Sequence, residues 1–185
     1  YPLSALAGPE DLMQGFDGGE VFWSTTFGGE TGSLAAAKAC LKQLENGGQL
    51  RIQRYGNAFG TNLARIIAKT FPPDVVTLLG NHARMILRWQ DVSGGPSGAA
   101  LKTLWIAEHL KRGVLYGGPI FPMACWDNDI VARLTQAAEE VSQVIAGGLA
   151  SGSIDALLPC APITDVFNSR YQETPLLPET EKPSV

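Results

Sequence analysis

The residues best equipped for chemistry lie together at Phe22–Leu34, which reads Phe-Trp-Ser-Thr-Thr-Phe-Gly-Gly-Glu-Thr-Gly-Ser-Leu. Thr25, Thr26, Thr31 and Ser33 carry hydroxyl donors. Gly28, Gly29 and Gly32 let the backbone come close to a bound group and take conformations closed to other residues. Hydroxyls and glycines just ahead of a helix can hold an anion on its unpaired N–H groups. The same residues also suit a structural use, in which Thr31 or Ser33 caps a helix beginning near Leu34 and the glycines make a turn. The spacing matches neither a Walker loop nor the GxGxxG fingerprint.

Other reactive side chains are scattered. His82 has no acidic partner close in sequence, so it reads as a turn histidine rather than a general base. Arg84 and Arg88, four apart on a strand, share a face and could meet a carboxylate, although solvated charges fit the same pattern. His109 falls in the last turn of a helix, where a cation is favoured, and is assigned no chemistry. Cys125 with the distant His82 does not make a nucleophile and base pattern. Lys38 and Lys42 lie off the apolar face of their helix and read as solvated. No metal-ligand spacing is present in the sequence.

The elements that must position these residues follow from periodicity and punctuation. Tyr1–Gly8 is a short apolar run that suits a strand of a larger sheet. Glu10–Met13 reads as a helical turn and Asp17-Gly18-Gly19 as a chain reversal. Leu34, Ala37, Leu41 and Leu44 recur at helical spacing up to Gly47-Gly48, which closes the segment. A long helix over Leu50–Phe71 carries Tyr55, Phe59, Leu63, Ile66 and Ile67 in one stripe and stops at Pro72-Pro73. Val75–Leu79 and Met85–Trp89 read as a hairpin, joined through Gly80-Asn81-His82-Ala83. The glycine-rich loop Ser93–Gly98 hands over to a helix over Ala99–Arg112, with Leu101, Leu104, Trp105 and Leu110 apolar. Val114–Tyr116 reads as a strand and Gly117–Pro122 as an irregular loop because of its two prolines. Asp127-Asn128-Asp129 opens a helix through Ile145, with Ile130, Leu134, Ala137, Ala138, Val141 and Ile145 inward. Gly147-Gly148 follows, then the short apolar segment Ile154–Leu158. The proline- and glutamate-rich residues from Glu173 on read as a disordered tail.

Composition narrows the class. The 185 residues are 45% apolar and 17% charged, as in an ordinary globular protein. A net charge of −4 with scattered basic residues argues against nucleic acid as a partner. No apolar run reaches bilayer length, so no membrane role is expected. The three cysteines, an odd number, argue against a disulfide framework and make the cytoplasm the expected compartment.

Thr26-Phe-Gly-Gly29 followed by Leu34-Ala-Ala-Ala resembles the Thr-Phe-Gly-Gly-x-x-x-x-Ala-x-Ala segment of class III pyridoxal-phosphate aminotransferases, especially the glutamate-1-semialdehyde aminomutase-like branch. Tyr1–Gly8 resembles the segment that follows the family's Schiff-base lysine, and Gly113-Val-Leu resembles the family's small-domain ending. The similarity runs roughly over 1–145. It implies an α/β fold, with an α+β small domain, forming the C-terminal portion of a fold-type I transferase: 1–48 ending the large cofactor domain, 49–148 the small domain, 149–185 an extension. It implies pyridoxal 5'-phosphate as cofactor, a small amino or keto substrate, and a homodimer whose cofactor site is shared between subunits. Thr26 would bind the phosphate of the neighbouring subunit's cofactor through its hydroxyl and N–H, with Phe27, Gly28 and Gly29 shaping the loop. The catalytic lysine is expected upstream of Tyr1, so this chain alone is expected to be inactive. A second reading is a non-catalytic dimerisation module derived from the same small domain. Two departures stand out. Glu30-Thr31 replaces the family's common asparagine-proline, and Cys125-Trp126 stands where a histidine-threonine pair is frequent.

Overall fold

A computed structural model describes residues 3–163 of the chain. One long inner helix, α3 (Gln49–Thr70), buries Tyr55, Phe59, Leu63 and Ile66 at spacings of three and four, with Ile67 packed alongside. The helix stops where the sequence says it must. Phe71 takes the extended conformation that a following proline imposes, while its N–H still closes the last turn on the Ile67 carbonyl at 3.0 Å.

The chain then forms an antiparallel hairpin, β1 (Val76–Asn81) and β2 (Arg84–Trp89), in register from Val76 opposite Trp89 to Asn81 opposite Arg84. The Asn81 side chain fixes the turn by accepting from the N–H groups of Ala83 and Arg84 at 2.9 and 3.3 Å. Helix α4 (Gly98–Lys111) is capped by the Ser97 hydroxyl, which accepts from the Ala100 N–H at 3.1 Å. Helix α5 (Asn128–Ser151) is capped by the Asp127 carboxylate, which accepts from the Ile130 N–H at 2.8 Å. A short helix, α6 (Ile154–Leu157), folds back on α4 and α5.

These elements share one core. α5 packs on α3 and α4, and the hairpin lies against both α3 and α4. Leu63, Leu101, Leu104, Trp105, Val141 and Ile145 are its most deeply buried apolar side chains, and each large aliphatic one contributes roughly 1.5–3 kcal/mol. Aromatic edges tie the hairpin in: Phe71 meets Trp89 edge-on at 5.6 Å, and Trp89 meets Trp105 at 5.5 Å. Arg51 binds α3 to the loop before α5, donating to the carbonyls of Ala124 and Trp126 at 2.7 and 3.0 Å.

The N-terminal quarter is built differently. Helices α1 (Glu10–Asp17) and α2 (Thr31–Gln43) bury no side chain except Ser33. A kinked turn over Leu44–Gly48, with Gly47 at φ 91°, joins α2 to α3. Gly48 must be glycine, since a Cβ there would lie 2.6 Å from the Gln43 carbonyl oxygen.

Several expectations are corrected. Of the run Tyr1–Gly8, the described residues from Leu3 onward form no strand and are exposed; the sheet among the described residues is made of β1 and β2, and none of the run pairs with it. The expected stripe on α2 does not enter the core: Leu34 and Leu41 are exposed and Leu44 is half-buried. Val114–Tyr116 is not a strand. Gly113 adopts φ 74° and the Val114 N–H is spent on the His109 carbonyl at 2.9 Å, as a helix cap. Leu110 is exposed rather than part of the buried face of α4. Gly147-Gly148 does not end α5, which runs on to a left-handed Gly152. The reason lies in packing, for Ile154 and Leu157 press against the bare α-carbon of Gly148. The loop 117–122 is irregular as expected, yet Ile120 pairs with Met85 at 2.8 and 3.0 Å and so adds one bridge on the side of β2 away from β1. The expected tail from Glu173 lies outside the described residues.

Candidate functional site

Thr25, Thr26, Phe27, Gly28 and Gly29 form an exposed loop immediately before α2. The loop is a tight turn, closed by the Glu30 N–H donating to the Phe27 carbonyl at 3.2 Å, with Gly29 at φ 79°. Gly28 admits no side chain, because a Cβ would lie 1.9 Å from the Thr25 hydroxyl oxygen. Thr26 makes no hydrogen bond with any described residue through its hydroxyl or its N–H. Phe22 and Phe27 stand 91% and 79% exposed beside it.

The helix N-terminus behind the loop is capped by Glu30, not by Thr31 or Ser33 as expected. Its carboxylate accepts from the Ser33 N–H at 3.1 Å and also from the Ser33 hydroxyl. A negative side chain is favourable there, but it takes up a donor that an anionic ligand would otherwise use. The loop therefore offers Thr26 and its own backbone more readily than it offers the helix end. Lys38, the first lysine of the sequence, is exposed on α2.

The remaining candidates disperse. His82 occupies the hairpin turn and is half-buried, Arg84 and Arg88 are exposed on β2, and Cys40, Cys125 and Cys160 are free and exposed. No group of metal-ligating side chains exists among the described residues.

His109 departs from the expectation of a cationic residue at a helix end. It is buried, and burial pushes its pKa below the ordinary value, only partly offset by the hydrogen bond of its Nδ1 with the Trp105 carbonyl at 2.9 Å. Its neighbour Glu108 goes the other way. Burial raises the Glu108 carboxyl, but hydrogen bonds and charge from Lys111 at 2.5 Å and Arg112 at 2.8 Å outweigh it and hold the pKa low. Arg112 also donates to Glu140 at 2.9 Å, so the network joins α4 to α5. The Glu108 and Arg112 pair is readable in sequence as an i, i+4 ion pair. The Arg112 and Glu140 link, like the Arg51 clamp, is non-local and has no such signal.

Among the described residues, no helix is long and apolar enough to cross a membrane. No protein-family model matches the sequence, and no curated protein matches it either. A solved structure of a transaminase with PLP bound is similar in backbone, with a TM-score of 0.59 and 17% sequence identity over 72% of this chain. The matched part spans 31% of that transaminase chain. What the two share is a fold: this chain's helices and small hairpin are arranged like a stretch of that transaminase.

Proposed function

We propose that this chain is the C-terminal part of a pyridoxal-phosphate-dependent enzyme of amino-group transfer, class III and of fold type I, nearest in kind to the glutamate-1-semialdehyde aminomutases. The observation that carries the reading is the backbone likeness to a PLP-bound transaminase over 72% of the chain. It agrees with the Thr-Phe-Gly-Gly loop of the sequence, exposed at Thr26–Gly29. When bound, the cofactor supplies an electron sink that eases proton removal from the substrate α-carbon.

The residues present fit the phosphate end of that cofactor. The loop is open, Gly28 and Gly29 allow close backbone approach, and Thr26 has both donors available. In this reading Thr26 donates to the phosphate from its hydroxyl and N–H, and Phe27 to Gly29 hold the turn. Glu30 keeps the helix N–H of Ser33 occupied and sets the limit of the phosphate site. The loop serves the cofactor of a second subunit in a homodimer, which acts on a small amino or keto compound. Thr26→Val removes a hydrogen bond to a charged group, worth roughly 1.5–3 kcal/mol, and should weaken cofactor binding about tenfold to a hundredfold in an active parent enzyme carrying this segment. Unchanged affinity there would leave the loop a structural turn. The chain alone, treated with pyridoxal phosphate and borohydride, should give no single stoichiometric lysine adduct on peptide mapping.

A non-catalytic interaction module is the second reading, favoured by one feature. The core from Tyr55 to Ile154 is continuous without any contribution from the phosphate-loop segment. Restoration of amino transfer by a lysine-bearing large-domain segment supports the enzyme reading. Binding of that segment without activity supports the module.

A further inference from the structure

A cavity of about 180 Å³ opens between α3, the C-terminal half of α4, the loop that follows it and α5. Phe59 and Trp126 form one wall, meeting edge to face at 5.9 Å. Trp105 and His109, 2% and 4% exposed with ring centroids 4.3 Å apart, form its buried side. Leu115, Phe121 and Met123 line it from the solvent side and are more than half exposed.

Two polar atoms distinguish this cavity from a packing gap. The Trp105 indole N–H is fully buried and finds no acceptor among the described residues, which is costly for a native core. The Nδ1 atom of His109 faces the Trp105 carbonyl at 2.9 Å. A carbonyl only accepts, so Nδ1 carries the proton and Nε2 is left as an acceptor. Donor and acceptor thus lie on adjoining rings. A single hydroxyl group both accepts and donates, and so matches the two in kind.

We propose that this cavity binds a small, neutral aromatic molecule bearing a hydroxyl, its ring held by Phe59 and Trp126 and its hydroxyl paired with Trp105 and His109. Size agrees, since an apolar cavity of about 150 Å³ is enough for benzene. Charge agrees as well, because the lining contains no Asp, Glu, Lys or Arg and would leave an ionic ligand buried without a partner. A partner protein's phenylalanine or leucine would leave both polar atoms unpaired. The site uses none of the loop residues at 25–29 and stands independently of the cofactor reading.

Phenol, titrated into the full chain and followed through the indole N–H resonances, tests the site. The resonance lost in Trp105→Phe should shift saturably with phenol, and toluene, which has the ring without the hydroxyl, should bind about tenfold more weakly. Met123→Trp, a change at an exposed rim position, should obstruct phenol binding while leaving the melting temperature unchanged. If Trp105→Phe does not fold, the phenol and toluene comparison on the unaltered chain decides alone. An unmoved indole signal, equal affinity for the two compounds, or phenol binding indifferent to Met123→Trp would overturn the proposal.

Discussion

His109 illustrates how burial overrides a local electrostatic preference. The end of α4 favours a cation, yet desolvation lowers the pKa of the ring, and the nearby Arg112 charge adds to that while Glu108 opposes it. The unfolded histidine titrates near 6.5 and the folded one below that, so between the two values the unfolded state binds more protons. The folded state is therefore at full advantage above about pH 6.5 and loses stability as pH falls through the folded pKa. Thermal melts should show a declining melting temperature on acidification through this window, and His109→Gln should flatten the decline. Glu108 and Glu140, held below the ordinary carboxylate value, act only at lower pH. Tyr116, pushed up to about 12 mainly by burial, stays protonated throughout.

Among the elements, glycines mark where helices touch their neighbours. In α3, a Cβ on Gly56 would lie 2.0 Å from the carbonyl oxygen of His82, in the hairpin turn. Backbone cannot yield as a side chain does, so Gly56→Ala should separate helix from hairpin and cost about 1–3 kcal/mol or more. Gly147, exposed on α5, has open space around it. There the alanine brings only its better helix propensity, and Gly147→Ala should stabilise by roughly 0.5–1 kcal/mol. Denaturant unfolding of the two variants, with opposite shifts in midpoint, checks both. Equal shifts would mean that the contact of α3 with the hairpin turn is not tight. Asp127→Ala, which removes the α5 cap, should cost about 1 kcal/mol in the same assay.

For the whole molecule, the division lies between a packed body and an N-terminal segment that adds nothing to its core. Leu3, Leu6, Leu12, Phe22, Trp23, Phe27, Leu34 and Leu41 are all exposed in that segment. So much exposed apolar surface on one stretch exceeds the scattered apolar residues of an ordinary globular surface. The chain by itself should bind a hydrophobic dye. Limited proteolysis should cut first within 18–30 or at the kink near Gly47, and the protected product should begin near α3. Hydrogen exchange should agree, with fast amides in α1 and α2 and slow ones in α3, α4 and α5. Protection of α2 comparable to that of α3 would contradict this division.

Sequence alone determined the elements whose signals are local. The stripe of α3 and its proline stop, the hairpin, the Asp127 cap and the turn at Gly18-Gly19 are all written in residues a few positions apart, where helical and strand periodicity act directly. The Thr26–Gly29 loop ahead of a helix is a local signal too, because glycine and hydroxyl residues punctuate a chain whatever surrounds them. Tertiary structure decided what depends on the neighbour. It left the apolar face of α2 uncovered, let α5 pass through two glycines because Ile154 needed the space at Gly148, and sealed His109 beneath aromatic rings. It also gave the cap of α2 to Glu30, where two hydroxyl residues next to it were the local favourites. A periodic pattern says which face is apolar, but only the assembled fold supplies the surface that covers it.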